Sequence, residues 1–165
     1  MKNLLLTLLT FTLFLTGFAQ TLTKIVDEMS DKIYWSDDGQ VFIENDAGFR
    51  IECAWKYNSP DPVFDGLMAK VVGLGSCVEN VEMIVLFENG EKITKTSWNK
   101  FNCEGNAWYN LKETEINLFK TTSVSKIRFT NGRTYDSITG TLEVPEYFIT
   151  INRRAENSQF DVVNQ

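Results

Sequence analysis

The sequence contains no histidine, and that absence closes off more chemistry than any motif opens. Ser-His-Asp and Cys-His nucleophilic catalysis are excluded. So are the usual zinc sites and the commonest general base near neutral pH. An enzyme built on this chain would have to work with carboxylates, tyrosine, lysine or a thiolate. Basic charge is also scarce, with 16 Lys and Arg against 22 Asp and Glu. Such a chain lacks the basic footprint that nucleic-acid phosphates require, and it is poorly suited to anionic lipid. Beyond residue 20 no apolar run approaches membrane-spanning length.

What is present begins with the segment MKNLLLTLLTFTLFLTGFAQ. Lys2 supplies a positive start, and Leu4 to Leu15 form an apolar stretch broken only by threonines. Gly17 and Ala19 then place small side chains at −3 and −1 of a cleavage site. The pattern predicts a signal peptide over residues 1–19. Its removal takes away one basic residue, Lys2, leaving 146 residues with 15 basic and 22 acidic side chains, net −7. That length suits one domain with one core. No cysteine stands near the cleavage point, so the exported product is expected to be periplasmic or extracellular and not a lipoprotein. It should not insert in a membrane once the signal is removed. Residues 20–152 are expected to form a single domain, and 153–165 a frayed polar tail.

Three cysteines remain, Cys53, Cys77 and Cys103, and export makes a disulfide plausible. Asn89-Gly90 lies between the apolar run Met83–Phe87 and the alternating Lys92–Thr96, a strong hairpin signal. With a two-residue loop, Cys77 and Cys103 stand one residue out of register. A bulge or a three-residue loop brings them opposite each other, within bridging reach. In Phe49–Trp55, Cys53 shares a face with Phe49, Ile51 and Trp55 and reads as a buried free thiol. The expected bridge is therefore Cys77–Cys103.

Two further X-Gly turns, Asp38-Gly39 and Asn131-Gly132, predict hairpins. The first would set Trp35 opposite Phe42 and Tyr34 opposite Ile43. The second would join Ser125–Thr130 to Arg133–Ile138, with Ile127 and Phe129 inward and Lys126 and Arg128 outward. Strands are also expected at Gly48–Trp55, Leu67–Leu74, Asn106–Leu111 and Glu146–Asn152. Met83–Phe87, apolar on both faces, suggests a central strand. Helix is limited to a short stretch within Thr23–Lys32 and one or two turns within Leu111–Phe119. No strand alternates with a long amphipathic helix, which disfavours a parallel βαβ sheet. The fold class expected is all-β, an antiparallel two-sheet β-sandwich of about nine strands, with a flattened barrel as the alternative.

Candidate chemistry is thin. The carboxylate groups Asp37-Asp38, Glu44 with Asp46, and Asp61 with Asp65 could serve a histidine-free glycosidase if two faced each other across a cleft. Turn preference already explains Asp at several of these positions. They match no defined calcium loop, and Gly73-Leu74-Gly75 lacks the third glycine and helix of a nucleotide fingerprint. No catalytic, cofactor-binding or metal-binding residue is assigned. The aromatics carry the better lead. Neighbouring strand residues point to opposite faces, so the doublets Tyr34-Trp35 and Trp108-Tyr109 each send one ring away from the core. These four are the candidate ligand-facing residues, since an exposed ring can stack on a sugar or grip a protein. Trp55 falls on the core stripe, and Trp98 lies within the disulfide-closed hairpin. Neither needs a functional reading.

The blocks CVENVEMIVLFENGEKI, SWNKFNCEGNAWYNL and VSKIRFTNGRTYDS, with a signal ending Phe18-Ala19-Gln20, resemble small secreted β-rich proteins of Bacteroidota. The resemblance implies the fold and the location and transfers no site residue. The function expected is a non-enzymatic binding module for a protein or a glycan. A carboxylate-based hydrolase acting on glycans and an envelope scaffold or assembly protein are the alternatives.

Overall fold

Alternation of buried and exposed side chains sets which face each strand turns inward. In the computed structural model, which describes residues 20–165, Phe49, Ile51 and Cys53 point into the core from one strand, and Ile127 and Phe129 from another. The expected signal peptide, residues 1–19, lies outside the described residues. The elements run β1 Leu22–Asp27, β2 Lys32–Asp37, β3 Gln40–Glu44, β4 Ala47–Trp55, β5 Phe64–Val72, β6 Val78–Glu79, β7 Glu82–Phe87 and β8 Lys92–Thr96. They continue through β9 Phe101–Asn102, β10 Asn106–Asn110, α1 Glu113–Thr121, β11 Val124–Thr130, β12 Ser137–Gly140, α2 Tyr147–Glu156 and β13 Asp161–Asn164.

The all-β, sandwich-like expectation holds. One four-stranded antiparallel sheet has the order β10-β5-β4-β3 and another the order β12-β11-β7-β8, and neither closes into a barrel. They meet through aromatic rings: Phe49 of β4 lies 4.9 Å from Phe129 of β11, and Tyr109 of β10 lies 6.2 Å from the same ring. Phe42 of β3 packs directly over Gly140 of β12, where a Cβ would come within 2.4 Å of the ring. The two helices close one end, with Phe119 of α1 against Phe64, Phe87 and Phe148. A third, small sheet, β13-β1-β2, and a two-stranded ribbon, β6-β9, complete the molecule.

Several local expectations change. Asp38-Gly39 is a corner rather than a hairpin: β2 pairs with β1, while β3 enters the other sheet and pairs with β4. The β3–β4 turn is Asn45-Asp46, with Asn45 at φ 55°. Asn131-Gly132 begins a six-residue loop, because the first ladder pair is Thr130 with Ser137. The Asn131 side chain is engaged elsewhere. Its amide donates to the carbonyls of Leu74 at 2.7 Å and Cys77 at 3.0 Å, and it accepts from the Glu79 N–H at 3.1 Å. Around Asn89-Gly90 the loop has three residues, closed by Phe87 N–H to the Glu91 carbonyl at 3.0 Å. Gly90 takes φ 87°, the left-handed position such loops require.

Thr23–Lys32 is strand and turn rather than helix, because β1 is the middle strand of its small sheet. Glu146–Asn152 belongs to α2 rather than to a strand. Tyr147, Phe148, Ile151 and Ala155 are buried at helical spacing. The polar tail expected from Arg153 is ordered: the helix continues to Glu156, and β13 then adds to β1 in parallel. Phe160 anchors this return, 4.7 Å from Trp35.

Cys77 and Cys103 are bridged, and Cys53 is free and buried. The bridge follows from β6–β9 pairing, in which Val78 faces Asn102 and the cysteines occupy the next position. Between Glu82–Thr96 and Glu79–Phe101 the return strand carries four residues against two on the outgoing side. Those four are Ser97–Lys100, and they push Trp98 out of the ladder.

Candidate functional site

The outer face of the β10-β5-β4-β3 sheet is built by the residues that alternate with its core stripe. On β10 these are Asn106 and Trp108, paired across to Lys70 and Met68 of β5. Lys70 and Met68 are in turn opposite Arg50 and Glu52 of β4. Trp108 is half-buried, and Trp98, 63% exposed, lies over it with ring centroids 5.7 Å apart and planes 35° from parallel. The two indoles form one aromatic platform at the rim of the sheet.

Asparagines hold that platform. Asn99 Oδ1 accepts from the Trp108 N–H at 3.0 Å, and its amide donates to the Asn106 carbonyl at 2.7 Å. Asn102 also donates to the Asn106 carbonyl, at 2.6 Å, and accepts from the Asn106 N–H at 2.9 Å. Trp98 N–H reaches the Trp108 carbonyl at 3.0 Å. These bonds satisfy the outer edge of β10, which would otherwise present unpaired backbone groups. The platform is thus fixed by backbone pairing, and the Cys77–Cys103 bridge ties the same loop to β6.

Beside Trp108 a cleft of about 110 Å³ is lined by Arg50, Glu52, Met68, Lys70 and Asn106. Arg50 donates to Glu52 at 2.7 Å. Burial raises the Glu52 carboxyl above its ordinary range, and the Arg50 charge opposes that shift. The Lys70 ammonium forms no ion pair among the described residues. The cleft therefore offers cationic and amide donors and one carboxylate acceptor next to an aromatic surface. This combination suits hydroxyl-rich ligands.

The four aromatics named from sequence separate. Tyr34, 40% exposed, stands on the solvent side of β2 and meets Tyr57 edge-on at 5.5 Å. Trp35 and Tyr109 are corrected as ligand-facing residues because both point inward, at 9% and 1% exposure. The Trp35 indole donates to the Ser59 carbonyl at 2.9 Å. Trp108 faces out, yet Tyr34 and Trp108 do not share a surface, since they stand on different sheets. Trp98, set aside in the sequence, supplies the most exposed half of the platform. The signal that could have found it is the register mismatch around Cys77 and Cys103, which demands an irregular segment there.

The carboxylates are also separated. Asp37 is buried and accepts from the N–H groups of Gly39 at 3.0 Å and Cys53 at 3.2 Å, from the Trp55 indole at 3.0 Å, and from the Tyr147 hydroxyl. Asp38 accepts from the Thr21 N–H at 2.8 Å, Glu44 ends β3 and Asp46 lies in the β3–β4 turn, and Asp61 and Asp65 lie before and within β5. Cys53 sits beside Asp37, and burial first, then that carboxylate, push its thiol well above the ordinary range. Such a thiol stays protonated and inert. No cluster of three or more metal-ligating side chains occurs among the described residues, and none of their helices is long and apolar enough to cross a membrane.

No family model, curated protein or solved structure matches this chain.

Proposed function

We propose that this chain is an exported, non-enzymatic glycan-binding module. A sugar ring stacks on the Trp98–Trp108 platform, while Arg50, Glu52, Lys70 and Asn106 bond its hydroxyls. The observation that carries the reading is the paired indoles, Trp98 exposed and Trp108 half-buried, held by hydrogen bonds to the backbone, with Trp108 opposite Met68 in the wall of a small polar cleft. A rigid exposed ring loses little entropy on binding and presents a flat apolar face that pyranose C–H groups fit. The adjoining donors and acceptor supply orientation.

Export to the periplasm or the exterior agrees with the Cys77–Cys103 bridge, since such bonds persist in oxidising compartments. Amino-terminal sequencing of the secreted protein should begin at Gln20.

A glycan array followed by calorimetric titration tests the binding reading. Trp98→Ala should weaken the best array ligand by about tenfold or more, the scale of one lost hot-spot ring. The change should leave the fold intact, because Trp98 is mostly in solvent. An array without hits, or a ligand whose affinity ignores Trp98→Ala, overturns the proposal.

A further inference from the structure

The open face of the other large sheet has a different character. On β7, Ile84 and Leu86 point outward, and the register places Leu86 between Lys92 of β8 and Lys126 of β11. Ile84 lies between Thr94 and Arg128, with Thr139 of β12 beyond. Ile84, Leu86, Lys92, Lys126, Arg128 and Thr139 line a shallow depression of about 280 Å³. None of the three cations forms an ion pair among the described residues. They are concentrated on a chain in which acidic residues outnumber basic ones by 22 to 16.

From this arrangement we infer a second docking surface, one that takes an acidic amphipathic helix of a partner protein. The apolar strip is one strand wide and is flanked on both sides by cations. Adjacent strands are about 4.8 Å apart, so the Lys92 and Lys126 rows stand roughly 10 Å from each other. That matches the 10–12 Å breadth of a helix, roughly. A helix lying along β7 sets its apolar stripe on Ile84 and Leu86. Its flanking carboxylates then meet Lys92 on one side and Lys126 and Arg128 on the other, and the lysine and arginine stems widen the floor.

Other occupants fit less well. A two-fold dimer through this face would oppose like charges. Nucleic acid would meet only three cations here, on a chain with 22 acidic and 16 basic residues. An anionic polysaccharide would leave the aliphatic floor without an apolar partner.

The test titrates the purified protein with a synthetic helical peptide that carries a Leu stripe flanked by Glu. A scrambled peptide of the same composition and polygalacturonate serve as comparisons. The amphipathic peptide should bind, the scrambled one should bind about tenfold or more weaker, and added salt should weaken both. Lys126→Glu with Arg128→Glu should reduce peptide binding by about tenfold or more, with circular dichroism unchanged, because both side chains are exposed. Trp98→Ala should leave peptide binding as it was, which separates this face from the glycan platform. Absence of peptide binding, indifference to the double charge reversal, or preference for polygalacturonate overturns the inference. Self-association abolished by the reversal would also overturn it, assigning the face to a second copy.

Discussion

At Asp37, donors from the β2–β3 corner, from β4 and from α2 converge on one buried carboxylate. Burial is the largest influence on its protonation and raises its pKa; the bonds from Tyr147, Trp55, Gly39 and Cys53 pull the other way. The folded value therefore lies above the unfolded one. The associated stability is fully present below the unfolded pKa and is lost as pH rises through the folded value. Urea denaturation of the protein and of Asp37→Asn across acidic to neutral pH checks the sign: the native chain's advantage should shrink as pH rises. An advantage that grows with pH would contradict it. Tyr147→Phe removes one charge-directed donor and should cost about 1.5–3 kcal/mol at neutral pH. The Tyr109 hydroxyl, by contrast, is buried and has no hydrogen-bond partner among the described residues. Its ring packing, rather than its polarity, accounts for the position.

Among the elements, the hairpin β7–β8 and the ribbon β6–β9 show how a bridge and a register jump coexist. The disulfide closes a loop with a sequence separation of 26, which chain-entropy arguments value at about 3–4 kcal/mol. Cys77→Ser with Cys103→Ser should lower urea stability by that amount. It should also loosen Trp98 first, because the bridged ribbon borders Ser97–Lys100. Indole fluorescence during unfolding would read this order. The sequence named the right cysteines, but not by the register it assumed: with Leu86 opposite Lys92 the hairpin alone would set Cys77 opposite Phe101, and the two extra residues of Ser97–Lys100 bring Cys103 into place. The mismatch signalled an irregular segment but not its shape, which depends on Ser97 bonding Val81 and Asn99 bonding Trp108. Helix α2 was legible in principle through Tyr147, Ile151 and Ala155, but a short run rich in aromatic and β-branched residues also reads as strand.

Across the whole molecule, two large sheets share one core and turn two unlike faces to solvent. One carries indoles beside a mixed polar cleft, and the other aliphatics between cations. Their mutual position depends on close approach at Phe42 and Gly140. Gly140→Ala places a methyl 2.4 Å from the Phe42 ring, and the overpacking should cost about 1–3 kcal/mol. Urea melts would show this, and Phe42→Leu in the same chain should recover part of the loss. A neutral Gly140→Ala would mean the sheets can part more easily than their ring contacts imply.

By itself the sequence determined the fold class, the inward stripes of β4 and β11, the Cys77–Cys103 bridge and the buried Cys53. The stripes and the buried Cys53 follow from side-chain alternation within a few residues, where the physics is local, whereas the bridge joins positions 26 apart and also needed the Ser97–Lys100 step to align it. Only the tertiary structure decided that Asp38-Gly39 passes between sheets, that Asn131 braces the cystine loop, and that Trp98 meets Trp108. The reason is the same in each case. An Asp-Gly or Asn-Gly step permits a left-handed or tight backbone without choosing its partner strand. Trp98 gains its neighbour, only ten residues on, once β10 has paired with β5 and so fixed where Trp108 stands.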